Sequence, residues 1–302
     1  MATVANKKAS AKAFDIVNVI FLGLLTLIVL YPVLNIVSIS VSSDTAVMTN
    51  KVTFYPVGFD LDAYQQIFTN KSLLRSFGNT VFVASMTCVL SLVLTSLAAY
   101  PLAFSNFIGK KFYTMMLIFT MWFSGGTIAI YLVVRNLNLL DSLWAPVLTP
   151  VLSAYNVIVM RSFFESIPMS LVESAKIDGA NEFTILFRII VPLSKPAVAL
   201  IALWVIVMQW NSYLGPLLYL NDINKYTLQL VLRDIVMNSA SDLYGMSTTT
   251  QTGTGGDVTS YSAISEQTKN AVVFVSMLPM LVLYPFLQKY FVKGIMLGAV
   301  KE

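Results

Sequence analysis

The 302-residue chain is 57% hydrophobic and only 11% charged, with a formal net charge of +4 and a mean hydropathy of +0.75. Soluble domains carry roughly 25% charged residues, so this composition belongs to a protein that crosses a membrane several times. One cysteine, Cys88, and no histidine exclude a disulfide framework, a zinc cluster, Ser/His or Cys/His nucleophiles and the commonest general base.

Lys7, Lys8 and Lys12 precede an apolar run from Phe14 to about Ser40. At 1.5 Å per residue it reaches roughly 40 Å, enough to cross a bilayer and too long for the apolar core of a cleavable signal. Residues 1–13 are therefore expected to be a cytoplasmic N-terminus before a retained first span. Val41 to Ser76 is polar and forms the first outer loop, with a short interfacial helix expected over Leu61 to Phe68. Span two is Phe77 to Phe104. The basic turn Lys110-Lys111 leads to span three, Phe112 to Val134, and a short outer link precedes span four, Leu143 to Met160. A charged segment follows over 161–196, then span five, Ala197 to Leu220. The long outer loop 221–269 precedes span six, Asn270 to about Leu287, and a basic tail.

The expected fold is all-α, a polytopic membrane protein with six transmembrane helices over residues 14–291 and a cytoplasmic tail over 292–302. Of the 19 Lys and Arg residues, 12 fall on the proposed inner segments and 7 on the outer ones. That bias puts both termini and segment 161–196 in the cytoplasm of a bacterial cell membrane. The basic residues are spread around the spans rather than gathered on one face, so no nucleic-acid partner is expected.

No Asp, Glu, Lys or Arg lies in the interior of any expected span. Ion-coupled carriers place ionisable groups or broken-helix sites near the midplane, whereas here the apolar runs are interrupted only by kink-forming prolines, among them Pro32, Pro101, Pro146, Pro150, Pro216 and Pro279. Nor is there an internal ATPase. The one Gly-Lys pair, Gly109-Lys110, has Phe104 where a phosphate-binding loop needs its first glycine and Lys111 where it needs a hydroxyl. Catalytic residues, metal ligands and bound cofactors are therefore expected to be absent, and energy has to come from another chain.

The segment over 161–196 concentrates charge between apolar spans: Arg161, Glu165, Glu173, Lys176, Asp178, Glu182, Arg188 and Lys195. Pro168 opens a helix over Met169 to Ile177, Asp178-Gly179 closes it, and Ala180 to Val191 forms a second helix with Phe183, Leu186, Phe187 and Ile190 on one face. Pro192 and Pro196 are expected to end it. By spacing alone this is a helical hairpin, equally suited to cover the end of a bundle.

The order Glu173-x-Ala175-x-x-Asp178-Gly179-Ala180, with Pro192 nineteen places after the glutamate, resembles the EAA loop of bacterial ABC importer permeases. Ser174 replaces the usual second alanine, and Leu186 stands where phenylalanine is common. The stretch 278–301, LPMLVLYPFLQKYFVKGIMLGAVK, resembles the tail of MalG-type carbohydrate permeases. Both are most similar in wording to the YtcP/LplC subgroup, which includes the smaller permease of the alginate importer.

The resemblance implies a MetI/MalG-like permease fold and no enzyme activity in this chain. It implies a second homologous permease, an extracytoplasmic solute-binding protein, an oligosaccharide substrate, and a separate dimeric ATPase that uses ATP and Mg. It also implies that Glu173, Ser174, Ala175, Asp178, Gly179, Ala180 and Pro192 couple to that ATPase. In that arrangement Ala175 and Ala180 permit close backbone approach, and the tail from Phe291 reaches into the ATPase dimer interface.

The Ser-, Thr- and Gly-rich stretch 246–260 is a flexible linker by composition. The resemblance makes its Thr248, Thr249, Thr250, Gly253, Gly255 and Gly256 a loop entering the binding protein's cleft. Sugar sites pair aromatic faces with amides or hydroxyls, which singles out Gln209, Trp210, Asn211 and Tyr213, together with Asn156 beside Tyr155. The competing reading is that the aromatics form an interfacial belt and the amides bridge helices. An ABC permease for a non-sugar solute and a non-transporting membrane scaffold are the remaining alternatives.

Overall fold

The computed structural model describes residues 2–105, 107–243 and 265–299, with side chains described except at 2–13, 238–243 and 286–299. In chain order the helices are α1 (Ala2–Ser40), α2 (Asp44–Met48), α3 (Asp62–Thr69), α4 (Lys71–Phe104), α5 (Lys110–Trp122), α6 (Gly126–Asn136), α7 (Trp144–Leu148), α8 (Ala154–Glu165) and α9 (Met169–Ile177). Then come α10 (Glu182–Ile185), a π-turn (Leu186–Ile190), α11 (Val191–Leu193), α12 (Lys195–Trp210), α13 (Leu214–Tyr219), a 3-10 turn (Ile223–Lys225), α14 (Leu228–Leu243) and α15 (Glu266–Ala299). Among the described residues there is no strand, only an isolated bridge between Ser42 and Phe59.

The chain divides into two compact units. The first comprises Met1–Asn70 with Ile235–Met277. Here the polar loop after α1 folds back on the end of that helix: Asn35 Nδ2 donates to the Thr53 carbonyl at 2.7 Å, Ser38 Oγ to the Phe54 carbonyl at 2.9 Å, and the Tyr31 and Phe54 rings meet at 4.9 Å. The expected interfacial helix is α3, one residue later than its sequence bounds.

The second unit, Lys71–Asp234 with Leu278–Glu302, is built on α4, which packs against α8 and α12. The buried positions of α4 include Thr80, Ala84, Thr87, Cys88, Ser91, Thr95 and Ala99, a stripe of small side chains at helical spacing. In a bilayer the gain from packing helices is close contact rather than escape from water, and small residues let the backbones approach. Val157, Met160 and Phe164 of α8 meet Ile201 and Val205 of α12 in the resulting core. Phe164 is 0% exposed, and its truncation to alanine costs about 3–5 kcal/mol if the cavity stays open.

Among the described residues, three helices are long and apolar enough to cross a membrane: Phe14–Ser40, Lys71–Phe104 and Glu266–Pro285. Two bent pairs raise that number to five, Lys110–Trp122 with Gly126–Asn136 at 110°, and Glu182–Leu193 with Lys195–Trp210 at 84°. Span three is thus broken where a continuous helix was expected. Gly126 takes φ 78°, open to glycine and costly for other residues, and the chain turns there. Span four is also interrupted, as α7 and α8 flank Thr149–Ser153 with Pro150 between them. A proline lacks the N–H that would continue the ladder and disfavours helix in the residue before it. The polar region 221–269 contains the helix α14. The basic tail does not leave the last helix, because α15 continues to Ala299.

Candidate functional site

The charged hairpin is two helix ends joined by a turn that satisfies both. Asp178 N–H donates to Ser174, Gly179 N–H to Lys176 and Ala180 N–H to Ala175, all at 3.0 Å. The last two bonds, with Gly179 at φ 79°, are the paired closure of a Schellman motif, in which the left-handed residue occupies the first position past the helix. Two residues on, Asn181 caps α10 by accepting the Thr184 N–H at 2.8 Å. The Asp-Gly-Ala-Asn sequence therefore stops one helix and starts the next within four residues.

The helix over Met169–Ile177 forms with its expected bounds, but its two faces differ from the expectation. Val172 is 0% and Ala175 7% exposed, both in the core cluster, and Ala180 packs against that cluster. The small side chain of Ala175 thus packs on the chain's own bundle. Met169, Glu173, Ser174 and Ile177 point outward, with Ile177 86% exposed. Glu173 makes no ion pair among the described residues, and Ser174 Oγ is spent on the Ser170 carbonyl at 2.8 Å.

The second helix is not regular. The π-turn over Leu186–Ile190 inserts a residue into the helical register, so Ile185, Leu186 and Ile190 are buried while Phe183 and Phe187 are exposed. The expected single face of Phe183, Leu186, Phe187 and Ile190 is split for that reason. Pro192 does not end the segment either: it lies exposed at the start of α11, whose missing donor there is harmless, and the break falls at Ser194.

Glu182 ties the hairpin to α4. Lys176 Nζ lies 2.7 Å from Glu182 Oε1, and the Tyr100 hydroxyl donates to Oε2 at 2.5 Å. These bonds hold the Glu182 carboxyl below the usual carboxylate range.

Away from the hairpin, Asp141 joins two loops of the same unit. Its N–H donates to the Tyr219 carbonyl at 2.7 Å, its Oδ1 accepts the N–H groups of Asn221 and Asp222 at 3.2 and 3.0 Å, and Lys225 Nζ reaches Oδ2 at 2.8 Å. Burial pushes this carboxyl up, but the Lys225 and backbone hydrogen bonds outweigh it and leave the group below its ordinary value.

The amide and aromatic residues expected to face a substrate separate into two groups. Asn156 and Gln209 line one cavity of about 570 Å³ together with Tyr155 and Trp204. Trp210 lies outside it, 4% exposed with its ring edge-on to Phe77 at 5.6 Å. Asn211 donates back to the Val207 carbonyl at 2.8 Å, and the half-exposed Tyr213 precedes α13. Trp204 was absent from the sequence-based set; it stands five residues before Gln209, about 140° around α12, so helical spacing gave no signal that the two share a cavity. Thr248, Thr249, Thr250, Gly253, Gly255 and Gly256 lie outside the described residues. No cluster of metal-binding side chains occurs among the described residues.

Comparison with known proteins places this geometry in context. Residues 7–297 match the family described as "Binding-protein-dependent transport system inner membrane component". The chain is 41% identical to the "Polygalacturonan/rhamnogalacturonan transport system permease protein YtcP" of Bacillus subtilis (strain 168), over 96% of this chain and 99% of that one. It is 40% identical to "Protein LplC" of the same organism, over 99% and 98% respectively. Among solved structures, it superposes with a TM-score of 0.81 and 33% identity on a chain of a bacterial ABC transporter involved in the import of the acidic polysaccharide alginate, covering 93% of this chain and 98% of that one.

Proposed function

Because the chain belongs to the family of binding-protein-dependent transport system inner membrane components, we propose that it is one of two membrane subunits of an ATP-driven bacterial importer of oligosaccharides or polysaccharide fragments. The observation that carries this reading is the near full-length match to the chain from the alginate transporter. The names of the relatives at 41% and 25–29% identity, transport permeases for polygalacturonan/rhamnogalacturonan, arabinooligosaccharides, galactooligosaccharides and maltodextrin, support it.

In this reading the chain crosses the membrane six times with both termini in the cytoplasm, the broken stretches over 112–134 and 143–160 each serving as one crossing. A homologous second permease completes the pore, a dimeric ATPase supplies the energy of ATP with Mg, and an extracytoplasmic binding protein delivers the sugar. The hairpin over 161–196 is the coupling element. Its outer face, Met169, Glu173 and Ile177, offers one unpaired carboxylate between two apolar side chains, a pattern suited to a shallow groove with a basic group. Ala175, Asp178, Gly179 and Ala180 shape the helix end behind that face, and Glu182 with Tyr100 passes its displacement to α4.

The experiment is reconstitution of all subunits in liposomes, with labelled oligosaccharide and binding protein outside and ATP inside. ATP-dependent uptake is expected. Uptake of a non-sugar solute alone would transfer the chain to another importer class, and no uptake with an intact complex would leave it a scaffold.

A further inference from the structure

The cavity that holds Asn156 and Gln209 lies between α4, the end of α5, the start of α8 and α12, all within the second unit. Its volume of about 570 Å³ falls within the range of roughly 300–1,000 Å³ typical of small-molecule sites. Two features mark it as more than a packing defect. One is a pair of amides on its wall: Asn156 belongs to the lining, and its side chain can both donate and accept. Beside it, Gln209 Nε2 donates to the Pro146 carbonyl at 2.7 Å, which leaves the Gln209 carbonyl oxygen as an acceptor.

The other feature is an aromatic wall. The Tyr155 and Trp204 rings have centroids 6.3 Å apart and are inclined by 42°. Both are about half exposed, at 52% and 54%, so their faces are not used up in the chain's own packing. Trp204 stands nine residues into α12, about 14 Å along a helix rising 1.5 Å per residue, which for a crossing helix is near the middle of a hydrocarbon core about 30 Å thick. Interfacial aromatic belts sit at the two edges of that core, so depth argues against a belt role for Trp204.

None of the side chains lining the cavity is charged. A carboxylate placed there would have no partner, and an unpaired ion in an uncharged site is far more costly than a hydroxyl. A pyranose ring fits this surface: its C–H faces are apolar and its hydroxyls both donate and accept.

We infer that the cavity is a pyranose subsite on the transport path, in which Trp204 and Tyr155 contact the ring face while Asn156 and Gln209 bond ring hydroxyls, and in which any acidic group of the sugar points away. This rests on the carbohydrate-importer reading and deepens it, since it assigns to this subunit recognition of the ring rather than of charge.

The test uses the complete reconstituted importer and three labelled probes: trisaccharides of galacturonate, of its methyl ester and of galactose. Trp204→Leu, which keeps an apolar side chain but removes the ring, is expected to lower uptake about tenfold for whichever probes the wild type imports, as befits loss of one aromatic contact. Trp204→Phe is expected to restore most of it, and Asn156→Leu to cause a comparable loss. Equal losses for galacturonate and its methyl ester support an uncharged subsite, and a loss confined to the acid overturns it. Uptake at the wild-type rate by Trp204→Leu, in complexes shown by co-purification to be fully assembled, makes this surface a lipid or protein contact and overturns the subsite while the importer reading stands. If the wild type imports neither these three nor arabinotriose and maltotriose, both readings fall together.

Discussion

Gly179 offers the sharpest test of the hairpin, because its geometry separates backbone from side-chain effects. It holds φ 79°, and a Cβ added there would meet nothing within 4 Å. Substitution by alanine therefore carries no clash inside this chain, only the penalty of a left-handed backbone, about 1–2 kcal/mol for an L-residue. That lowers the population of the closed turn by about 5- to 30-fold relative to its open forms. Asparagine visits the left-handed region readily, so Gly179→Asn is expected to lose much less. Gly179→Pro fixes φ near −65° and deletes the N–H donated to Lys176 at 3.0 Å, and it is expected to be the most damaging.

The assay is ATP-dependent uptake in liposomes carrying all subunits, read beside ATP hydrolysis and co-purification of the ATPase. Transport should fall in the order Gly, Asn, Ala, Pro, with insertion unchanged. If asparagine damages transport as much as alanine, the position is limited by a partner pressing on it and not by φ. If proline is tolerated, the turn does not carry coupling at all.

Glu173→Ala is expected to leave the permease inserted but to weaken retention of the ATPase by about tenfold or more, since truncating one partner of a desolvated ion pair costs roughly 2–5 kcal/mol; co-purification in graded salt measures this. Ile177→Cys, at a site 86% exposed, should react with a membrane-impermeant maleimide in inverted vesicles and not in intact cells, with buried Cys88 silent in both; the reverse pattern would put the hairpin outside. Asp141 has a lowered carboxyl pKa, so the bonds it makes are fully present above the unfolded value near 3.9 and are lost as pH falls through the lower folded value. Hydrogen exchange at Asn221 and Asp222, corrected for intrinsic rate, should accelerate across that acid window. Asp141→Asn keeps the acceptor oxygen and tolerates φ 54°, so it should loosen these amides less than Asp141→Ala.

Much of the charged hairpin was legible from residues 168–181 alone, because its determinants are local. Pro168, the run to Ile177 and Asp178-Gly179 specify start, body and stop within one stretch of chain, and the structure keeps those bounds. Asn181 was legible too, as a capping residue before Glu182, though it was passed over. By contrast, Gly125-Gly126 and Pro150 were visible breakers inside apolar runs, yet hydropathy alone joined the pieces on either side of them into single spans. The π-turn over Leu186–Ile190 has no comparable signal, since a one-residue shift in register leaves the composition unchanged.

Sequence by itself determined that this chain lives in a membrane, is helical, and presents one charged hairpin between apolar stretches, each of which follows from the cost of burying charge or open backbone in hydrocarbon; the lack of a phosphate-binding loop is read from the residues around Gly109-Lys110. Tertiary structure alone decided that Ala175 faces inward and Glu173 outward, and that Trp204 rather than Trp210 joins Asn156 at a cavity. In a membrane helix the lipid-facing and core-facing sides are both apolar, so hydrophobic periodicity loses the contrast it has in water, and only the packing of neighbouring helices distinguishes them.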